Sequence, residues 1–460
     1  KKRVAIARAL AFDPKVIYDQ YDGRFVVVTL ERTTSPTNTS RILVAVSQTS
    51  DPNGGWYFTS INSALTIGTL SWADYPGFAV SNTGLYITAN MFSFSTGSFT
   101  GGRLWIIDKG LVGGFYAGGV ATSIVQDHIT LGSGYNTTYQ PAHMFGTAQT
   151  GVGIFLVAYG GLSGGGIEYL HVIQVSNSLS TPTFTGQLVS LGDIDNTAGI
   201  FNNAPQLGTS TLINTNDRRS LNSVWRNNSL WMTACVVPPS GTDAGQVTAH
   251  WCKVNTTTLA SLVLSDQGNI GGETIATGCY TFFPSIAVNN NDEVCVGFSA
   301  SASTIYPGCY YTGRSSTDPA GTTIPPDVVR AGLDYYVRTF GSGRNRWGDY
   351  SGTSVDPSTQ SFYLFKQYSL ARGTIFGGED GRWGTVFGLV PVGSLPVELT
   401  SFSAITISKD IKLSWNTATE VNNYGFEIER MSNVRGQTSD TWEKIGFVEG
   451  SGNSNSPKDY

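Results

Sequence analysis

The 460-residue sequence is poor in charge, in histidine and in long apolar stretches. Charged residues make up 13% of the chain, about half of the roughly 25% that is usual in soluble domains. The 28 lysines and arginines are spread along the chain and the net charge is −5, which excludes the clustered basic surface that nucleic acid requires. No run of 18 apolar residues occurs, which excludes a membrane-spanning helix. The four histidines lack metal-site spacing, and no cofactor is expected.

Cysteine is confined to one stretch, with five residues between Cys235 and Cys309 and no C-x-x-C pair. This arrangement does not favour a zinc site. We expect local disulfides, joining Cys235 to Cys252 and Cys279 to Cys309 and leaving Cys295 free. Buried free thiols are the alternative.

Glycine and aromatic residues are abundant instead, with 55 Gly, 21 Tyr, 23 Phe and 10 Trp. Apolar residues amount to 40% of the chain, enough for a packed interior. This composition favours a secreted or cell-surface all-β protein with long turns, and it is not typical of a disordered chain. The length indicates several domains or one large repeat architecture.

The organising pattern is an internal repeat. A proline followed by a short apolar strand recurs at Pro14, Pro76, Pro141, Pro205 and Pro284, and Trp347 opens a sixth unit, at steps of 62, 65, 64, 79 and 63 residues. Each unit holds three or four runs rich in Val, Ile, Thr, Tyr and Phe and bounded by turn residues. The pattern predicts an all-β fold, a β-propeller of about six blades over residues 13–392, in which the strands that begin near these six positions lie innermost. A parallel β-helix would repeat at a much shorter period.

The N-terminal residues do not follow the pattern of the repeat. The stretch KKRVAIARALAFDPKVIYD resembles a segment of ABC-transporter ATPases, with Asp19 at the Walker B aspartate and Gln20 where Glu is usual. The phosphate-binding G-x-x-x-x-G-K-[ST] is missing, so ATPase activity is not expected. With no initiator Met, the likeness predicts a fragment or a fused reading frame. Residues 1–12 are expected to be irregular or to supply a closing strand.

Residues 393–460 alternate with a period of two in LPVELTSFSA, IKLSWNTATE, NYGFEIER and WEKIGFV. They resemble a fibronectin type III module, an immunoglobulin-like sandwich, of the kind found in bacterial proteins secreted by the type IX route. The resemblance implies that Trp415 is the buried core tryptophan. The resemblance implies further strands after Tyr460, so we expect the module to pack against the propeller, to pair with another chain or to continue into missing residues.

The propeller itself resembles secreted bacterial proteins of the sialidase-like superfamily. The resemblance rests on DPKVIYDQYDGRF, LNSVWRNNSLW and GRNRWGDYSGTSVDP, and on degraded Asp-box turns at Thr49–Trp56 and Ser315–Thr322. It implies the fold. Sialidase chemistry would also need three arginines, a Tyr–Glu pair and an acid, and the spacing of Arg218, Arg219, Arg344 and Arg346 singles out no triad.

The candidate ligand-binding residues centre on the segment from Arg346 to Tyr350. Arg346, Trp347, Asp349 and Tyr350 join a cation, flat aromatics and a carboxylate, a combination that suits sugar binding. The structural alternative is a tryptophan packed between blades beside an Arg–Asp pair that holds the turn.

Four carboxylates near predicted strand ends could meet in the funnel as a glycosidase pair does: Asp74, Asp217, Glu273 and Asp349. Surface or turn carboxylates are the alternative. Arg218 is the accompanying cation, and His143, just after Pro141, is the one histidine expected near the central channel. Asp193, Asp195 and Asn196 offer hard oxygens for a structural calcium, with a solvated turn as the other interpretation.

The leading functional prediction is a secreted or surface-attached propeller that binds extracellular glycan or another surface polymer. The second is a glycoside hydrolase or lyase acting from the central funnel. The third is a structural or adhesive surface protein. Clustered carboxylates with arginines in one central pocket favour the enzyme, exposed aromatics without paired acids favour binding, and an apolar plug favours the structural role.

Overall fold

The computed structural model describes residues 15–460 except 35, 128–137, 162, 164–165, 350, 376, 391–396, 409, 433–440 and 455. The chain divides into two compact units, the first ending at Val390 and the second spanning Pro391–Tyr460. In the described part the helical structure is a 3₁₀ turn at Phe115–Ala117. None of the described helical structure is long and apolar enough to cross a membrane. The predictions for residues 1–12 lie outside the described residues.

The described part of the first unit contains seven sheets. Six of them follow one another along the chain, and we call them blades 1 to 6; the seventh is a two-stranded hairpin. Blade 1 consists of β1 (Lys15–Asp19), β2 (Arg24–Thr33), β3 (Thr39–Ser47) and β4 (Trp56–Asn62). Blade 2 consists of β5 (Leu65–Ile67), β6 (Thr69–Val80), β7 (Gly84–Ser93), β8 (Phe99–Asp108) and β9 (Ser123–Gln126).

The next strands form blades 3 and 4 and a separate two-stranded hairpin. In chain order they are β10 (Gln140–Pro141), β11 (His143–Met144), β12 (Val152–Ala158), β13 (Glu168–Ser176), β14 (Phe184–Gly192), β15 (Ala204–Gln206), β16 (Thr209–Ile213), β17 (Ser220–Arg226), β18 (Ser229–Val236), β19 (Thr248–Asn255) and β20 (Val263–Ile270). Blade 3 has the order β10-β12-β13-β14. Blade 4 has the order β11-β17-β18-β19-β20, in which β11 pairs parallel to β17.

Blades 5 and 6 complete the unit. Blade 5 consists of β21 (Tyr280–Val288), β22 (Val294–Ala302), β23 (Ile305–Arg314) and β24 (Asp327–Arg330). Blade 6 consists of β25 (Gly352–Val355), β26 (Phe362–Leu370) and β27 (Arg382–Val390). Consecutive blades contact one another through inner strands, as in the pairs β1 with β6, β6 with β10, β10 with β17, β17 with β21 and β21 with β25. The predicted propeller of six blades is confirmed.

Burial explains why the middle strands lack the period-two alternation of a half-exposed sheet. Strands β12 (VGIFLVA) and β22 (VCVGFSASA) are buried along their whole length, because a neighbouring blade covers each face. The outer strand β4 alternates between half-buried and exposed residues. The blades approach closely at Gly297, where an added Cβ would lie 2.0 Å from the buried Leu364 of blade 6.

The degraded Asp boxes occupy equivalent places in two blades. Thr49–Trp56 leads from β3 to β4 in blade 1, and Ser315–Thr322 lies between β23 and β24 in blade 5. In the first, Asp51 accepts a hydrogen bond from the Asn53 amide at 2.9 Å. In the second, Asp318 accepts one from the Ser315 amide at 2.8 Å. Both are turns between the third and fourth strands.

One of the repeat positions was predicted wrongly. Pro76, Pro141 and Pro284 lie on inner strands, and Trp347 precedes the inner strand β25 of blade 6. Pro14 lies outside the described residues. Pro205, however, lies in the separate hairpin of β15 and β16. The inner strand of blade 4 begins at Ser220 instead. The hairpin is an insertion, which accounts for the long step of 79 residues in the repeat.

The disulfide prediction is also wrong, since all five cysteines are buried free thiols. Cys235 and Cys252 lie on adjacent strands but out of register, because Cys235 faces Ala249 and Cys252 faces Met232. Burial raises the pKa of both thiols to about 12. They are therefore core residues and poor nucleophiles.

The second unit is an antiparallel sheet of β28 (Val397–Ile407), β29 (Asp410–Ser432), β30 (Thr441–Ser454) and β31 (Lys458–Asp459). Trp415 is 6% exposed, and its ring packs against those of Phe426 and Tyr460 at centroid distances of 5.2 and 5.6 Å. The predicted burial of Trp415 is confirmed. The assignment of the second unit as a fibronectin type III module stays a prediction.

Candidate functional site

Residues from three blades that are not neighbours meet at the propeller axis. Asp74 lies on β6 of blade 2, Arg219 immediately precedes β17 of blade 4, and Asp349 precedes β25 of blade 6. Electrostatic interactions link Asp74 with Arg346 and Asp349, and link Tyr75 with Arg219, Asp217 and Asp349. Blades 2, 4 and 6 alternate around the ring, so these side chains can interact only near its centre. We call Asp74, Tyr75, Asp217, Arg219, Arg346 and Asp349 the central group.

A two-bond ion pair forms the blade 4 side of the central group. Nε and Nη2 of Arg219 donate hydrogen bonds to the two carboxylate oxygens of Asp217, each at 2.5 Å. The guanidinium carbon lies 4.6 Å from the ring centroid of Tyr75. Burial lowers the pKa of Arg219, but the bonds to Asp217 and the nearby acidic groups outweigh it and raise the pKa overall. Arg219 is therefore permanently charged.

The blade 6 side is the pair of Arg346 and Asp349, three residues apart and in hydrogen-bond contact. The Arg346 side chain is 56% exposed and the Asp349 side chain 12%. Asp217 is 52% exposed. The central group thus offers carboxylate and guanidinium groups to solvent.

Trp347 anchors this segment and does not belong to the accessible site. It is 3% exposed, its Nε1–H donates to the Ser299 hydroxyl at 3.0 Å, and Tyr336 packs edge-on at 5.3 Å. Gly348 lies so close to Gln367 that a Cβ would meet its side-chain oxygen at 2.1 Å. The Trp347 ring fills the core between blades, as in the structural alternative, so its assignment as a ligand-binding residue is wrong. Tyr350 lies outside the described residues.

A backbone irregularity shapes the blade 2 side. Tyr75 has φ of 51°, a rare conformation for a non-glycine residue, and the register of β6 with β7 shifts between Asp74 and Gly77. The Tyr75 amide donates to the Asp74 carboxylate at 2.8 Å. Phe283 on β21, also followed by proline, has φ of 52°. Strained backbone of this kind is often found at functional sites.

Asp74 is the unusual acid of the central group. It keeps an exposed surface, yet protein surrounds it on most sides, and this burial raises its pKa despite the opposing effects of the Tyr75 amide, Arg32 and Arg346. Burial likewise raises the pKa of Tyr75, which stays neutral. Arg32 stacks on Trp72, with its guanidinium carbon 3.7 Å from the ring centroid.

Arg218 points away from the central group, contrary to prediction. Its Nε donates to Asp195 at 2.7 Å and its Nη2 to the Asn196 carbonyl at 2.7 Å. The Asp195 carboxylate also accepts from the Tyr159 hydroxyl and the Val237 amide. These donors occupy the carboxylate of Asp195 and the carbonyl of Asn196, so the protein itself holds this turn. Within the described residues no group of three or more His, Cys, Asp and Glu could hold a metal ion.

His143 is a buried core residue, not a channel ligand. Its Nδ1 accepts the Val80 amide at 3.2 Å, and its ring packs edge-on against Phe145 at 4.4 Å. Burial, reinforced by the charge of Lys109, lowers the pKa of His143 to about 3. The imidazole is therefore neutral and cannot act as a charged ligand or an acid near pH 7.

Two further candidates also lie elsewhere. Glu273 shares with Asp243 a cleft of about 340 Å³ formed by residues that include Ile270 and Pro326. Burial and then the charge of Glu273 raise the pKa of Asp243. Arg344 donates to the side chains of Asn214 and Asn216 at 2.7 and 2.8 Å.

Sequence reasoning thus placed Asp74, Asp217, Arg346 and Asp349 among its site residues but missed two members of the central group. One is Arg219, because the sequence does not show which of the two adjacent arginines, Arg218 or Arg219, faces the axis. Tyr75 was missed altogether. Its position before Pro76 at the start of a repeat was the one available signal.

No protein-family model and no curated protein matches this sequence. Among solved structures, a glycosyl hydrolase from Bacteroides ovatus is 12% identical, with a TM-score of 0.31 over 68% of this chain and 86% of that one. The Trypanosoma rangeli sialidase in complex with the inhibitor DANA is 12% identical, with a TM-score of 0.31 over 89% of this chain and 53% of that one. This chain therefore spans about half the length of the sialidase. At such identity and TM-scores, neither likeness indicates an activity.

Proposed function

We propose that the propeller binds a carbohydrate at the central group, as part of recognising an extracellular glycan or surface polymer. One observation carries the proposal: carboxylates and guanidinium groups from blades 2, 4 and 6 converge on the axis. Asp74, Asp217 and Arg346 remain exposed there. Structural ion pairs would not require three separate blades to supply charged groups to one exposed point.

The pairing within the central group suits hydroxyl-rich ligands. A sugar hydroxyl both donates and accepts, so it is best recognised by acceptors and donors fixed side by side. The Asp217–Arg219 fork and the Asp349–Arg346 pair each supply both kinds of group, and the buried Trp347 fixes the segment that carries the second pair. Rigid partners keep the entropy cost of binding low.

The composition supports an extracellular location, because low charge with many hydroxyl, amide and aromatic side chains is typical of secreted all-β proteins. The cysteines do not bear on this point, since all five are buried thiols. A structural or adhesive role without a ligand site would leave the exposed charges of the central group unexplained.

Glycoside hydrolysis is the second candidate, and Asp74 is the residue that favours it. Burial raises its pKa, as a general acid requires, and Asp349 is near enough to act on it electrostatically. In this mechanism Asp74 would protonate the leaving oxygen, and Asp349 would act as the base or nucleophile. Binding without hydrolysis needs no such difference between the two carboxyl groups.

One screen tests both candidates. The protein is passed over a panel of immobilised polysaccharides, and both retention and release of reducing ends are measured. Binding alone predicts retention without release, and Asp74→Asn weakens it. Hydrolysis predicts release that Asp74→Asn abolishes while retention persists. If no polysaccharide is retained or cleaved, the carbohydrate proposal is wrong.

A further inference from the structure

We infer that the central group selects neutral sugars and rejects sugars that carry a carboxylate, because the protein's own acids already match its arginines. The inference rests on the proposed function and specifies its ligand class. The proposed function states that a carbohydrate binds at the central group, and this inference states which charge that carbohydrate carries.

The tightest pairing of an arginine with an aspartate is that of Arg219 with Asp217. Two of the guanidinium N–H groups of Arg219 are committed to the two oxygens of Asp217 in the fork geometry that a ligand carboxylate would need. Arg346 is in contact with Asp349. Both arginines therefore already face a protein carboxylate, Arg219 through a two-bond fork and Arg346 through one hydrogen bond.

The third pairing of an arginine with an aspartate is the electrostatic interaction of Arg32 with Asp74. Arg32, held on the face of Trp72, acts on the carboxyl group of Asp74. Three arginines and three aspartates thus share the neighbourhood of the axis. An acidic ligand would bring a fourth negative charge and would lie beside Asp217 and Asp349 as a like charge.

A neutral sugar meets no such obstacle. An ionised carboxylate has about four acceptor positions and a guanidinium has five N–H donors, so an ion pair leaves several of each unused. Hydroxyl groups can add to those without breaking the pairs. The same pairs that exclude an acid therefore serve a neutral ligand.

The test uses pairs of oligosaccharides that differ only by oxidation of one hydroxymethyl group to a carboxylate. Affinity for each is measured at low salt with wild type, Asp217→Asn and the control Asp51→Asn, which lies on the outer β3–β4 turn of blade 1. We expect wild type and the control to bind the neutral member at least tenfold more tightly. Asp217→Asn frees the fork of Arg219, so it gains at least tenfold in affinity for the acidic member.

The outcomes separate this inference from the proposed function. If wild type binds the acidic member as well as the neutral one, the selectivity is wrong while carbohydrate binding stands. If it binds neither, the proposed function and the inference both fail. If Asp217→Asn does not fold, Asp349→Asn frees the exposed Arg346 and is expected to gain acidic binding in the same way. Absence of any gain in a folded variant overturns the inference.

Discussion

Asp217 and Arg219 are joined by a two-bond fork at the propeller axis, with both bonds at 2.5 Å. The same guanidinium group lies over the ring of Tyr75 from blade 2, so one arginine connects two blades that are not neighbours. A bidentate pair fixes direction as well as charge. The central group is consequently a preorganised set of donors and acceptors.

The buried position of Trp347 predicts a structural phenotype. Trp347→Ala removes a ring that is 3% exposed, and the cavity should lower the free energy of unfolding by about 3–5 kcal/mol. Trp383→Ala, at a residue 52% exposed on β27, serves as the control and should lower it by less than about 1 kcal/mol. Urea denaturation measures both. Similar losses for the two variants would contradict the placement of Trp347 in the core.

The close approach of blades 5 and 6 predicts intolerance at Gly297. An alanine Cβ would lie 2.0 Å from Cδ1 of Leu364, which is fully buried and cannot move aside freely. Gly297→Ala should therefore lower the free energy of unfolding by about 1–3 kcal/mol. Gly352→Ala is the matched control, since a Cβ there meets nothing within 4 Å. Equal stability of the two alanine variants would be inconsistent with this packing.

Protonation of His143 predicts a loss of stability in mild acid. Its pKa is about 3 in the folded protein and 6.5 ordinarily, so between these values the unfolded chain binds a proton that the folded one does not. Stability is retained above pH 6.5 and falls towards pH 3. Between pH 7 and pH 5, wild type should lose roughly 2 kcal/mol more than His143→Gln, at about 1.4 kcal/mol per pH unit. Identical losses in urea titrations at the two pH values would show that His143 is not buried in the neutral form.

Lys366 predicts a gain of stability in mild base. It is 2% exposed, its amine donates to the Phe283 carbonyl at 2.6 Å, and burial lowers its pKa to about 8 from 10.5. Between these values the unfolded chain binds more protons, so this residue's contribution to stability rises with pH. From pH 7.5 to 9.5, wild type should gain roughly 2 kcal/mol relative to Lys366→Met. If the melting temperatures of wild type and Lys366→Met differ by the same amount at both pH values, the lowered pKa of Lys366 is contradicted.

The blades could be predicted from the sequence because their signals are local. Proline at strand starts, β-branched and aromatic runs and turn residues recur at a nearly constant spacing. The step of 79 residues marked an insertion, but only strand pairing shows that Pro205 lies inside it. The disulfide prediction failed for a similar reason, since spacing does not give the register of Cys235 and Cys252.

The central group was only partly predictable, because its members are far apart in the chain and meet through ring closure. Chain order does not show that Asp74 and Asp349 approach each other. Nor does it show that, in consecutive residues, Arg346 faces the axis while Trp347 enters the core. The bulge that makes Tyr75 and Asp74 part of the group is a backbone feature without a sequence signal strong enough to identify it.

The most direct test is the affinity of the neutral oligosaccharide that the wild type retains best, measured by calorimetry for the double variant Asp74→Asn/Asp349→Asn. Loss of charged hydrogen bonds worth about 1.5–3 kcal/mol predicts binding at least tenfold weaker, with Asp51→Asn unchanged. The melting temperature of each variant confirms folding. If the folded double variant binds within twofold of wild type, the ligand does not occupy the central group.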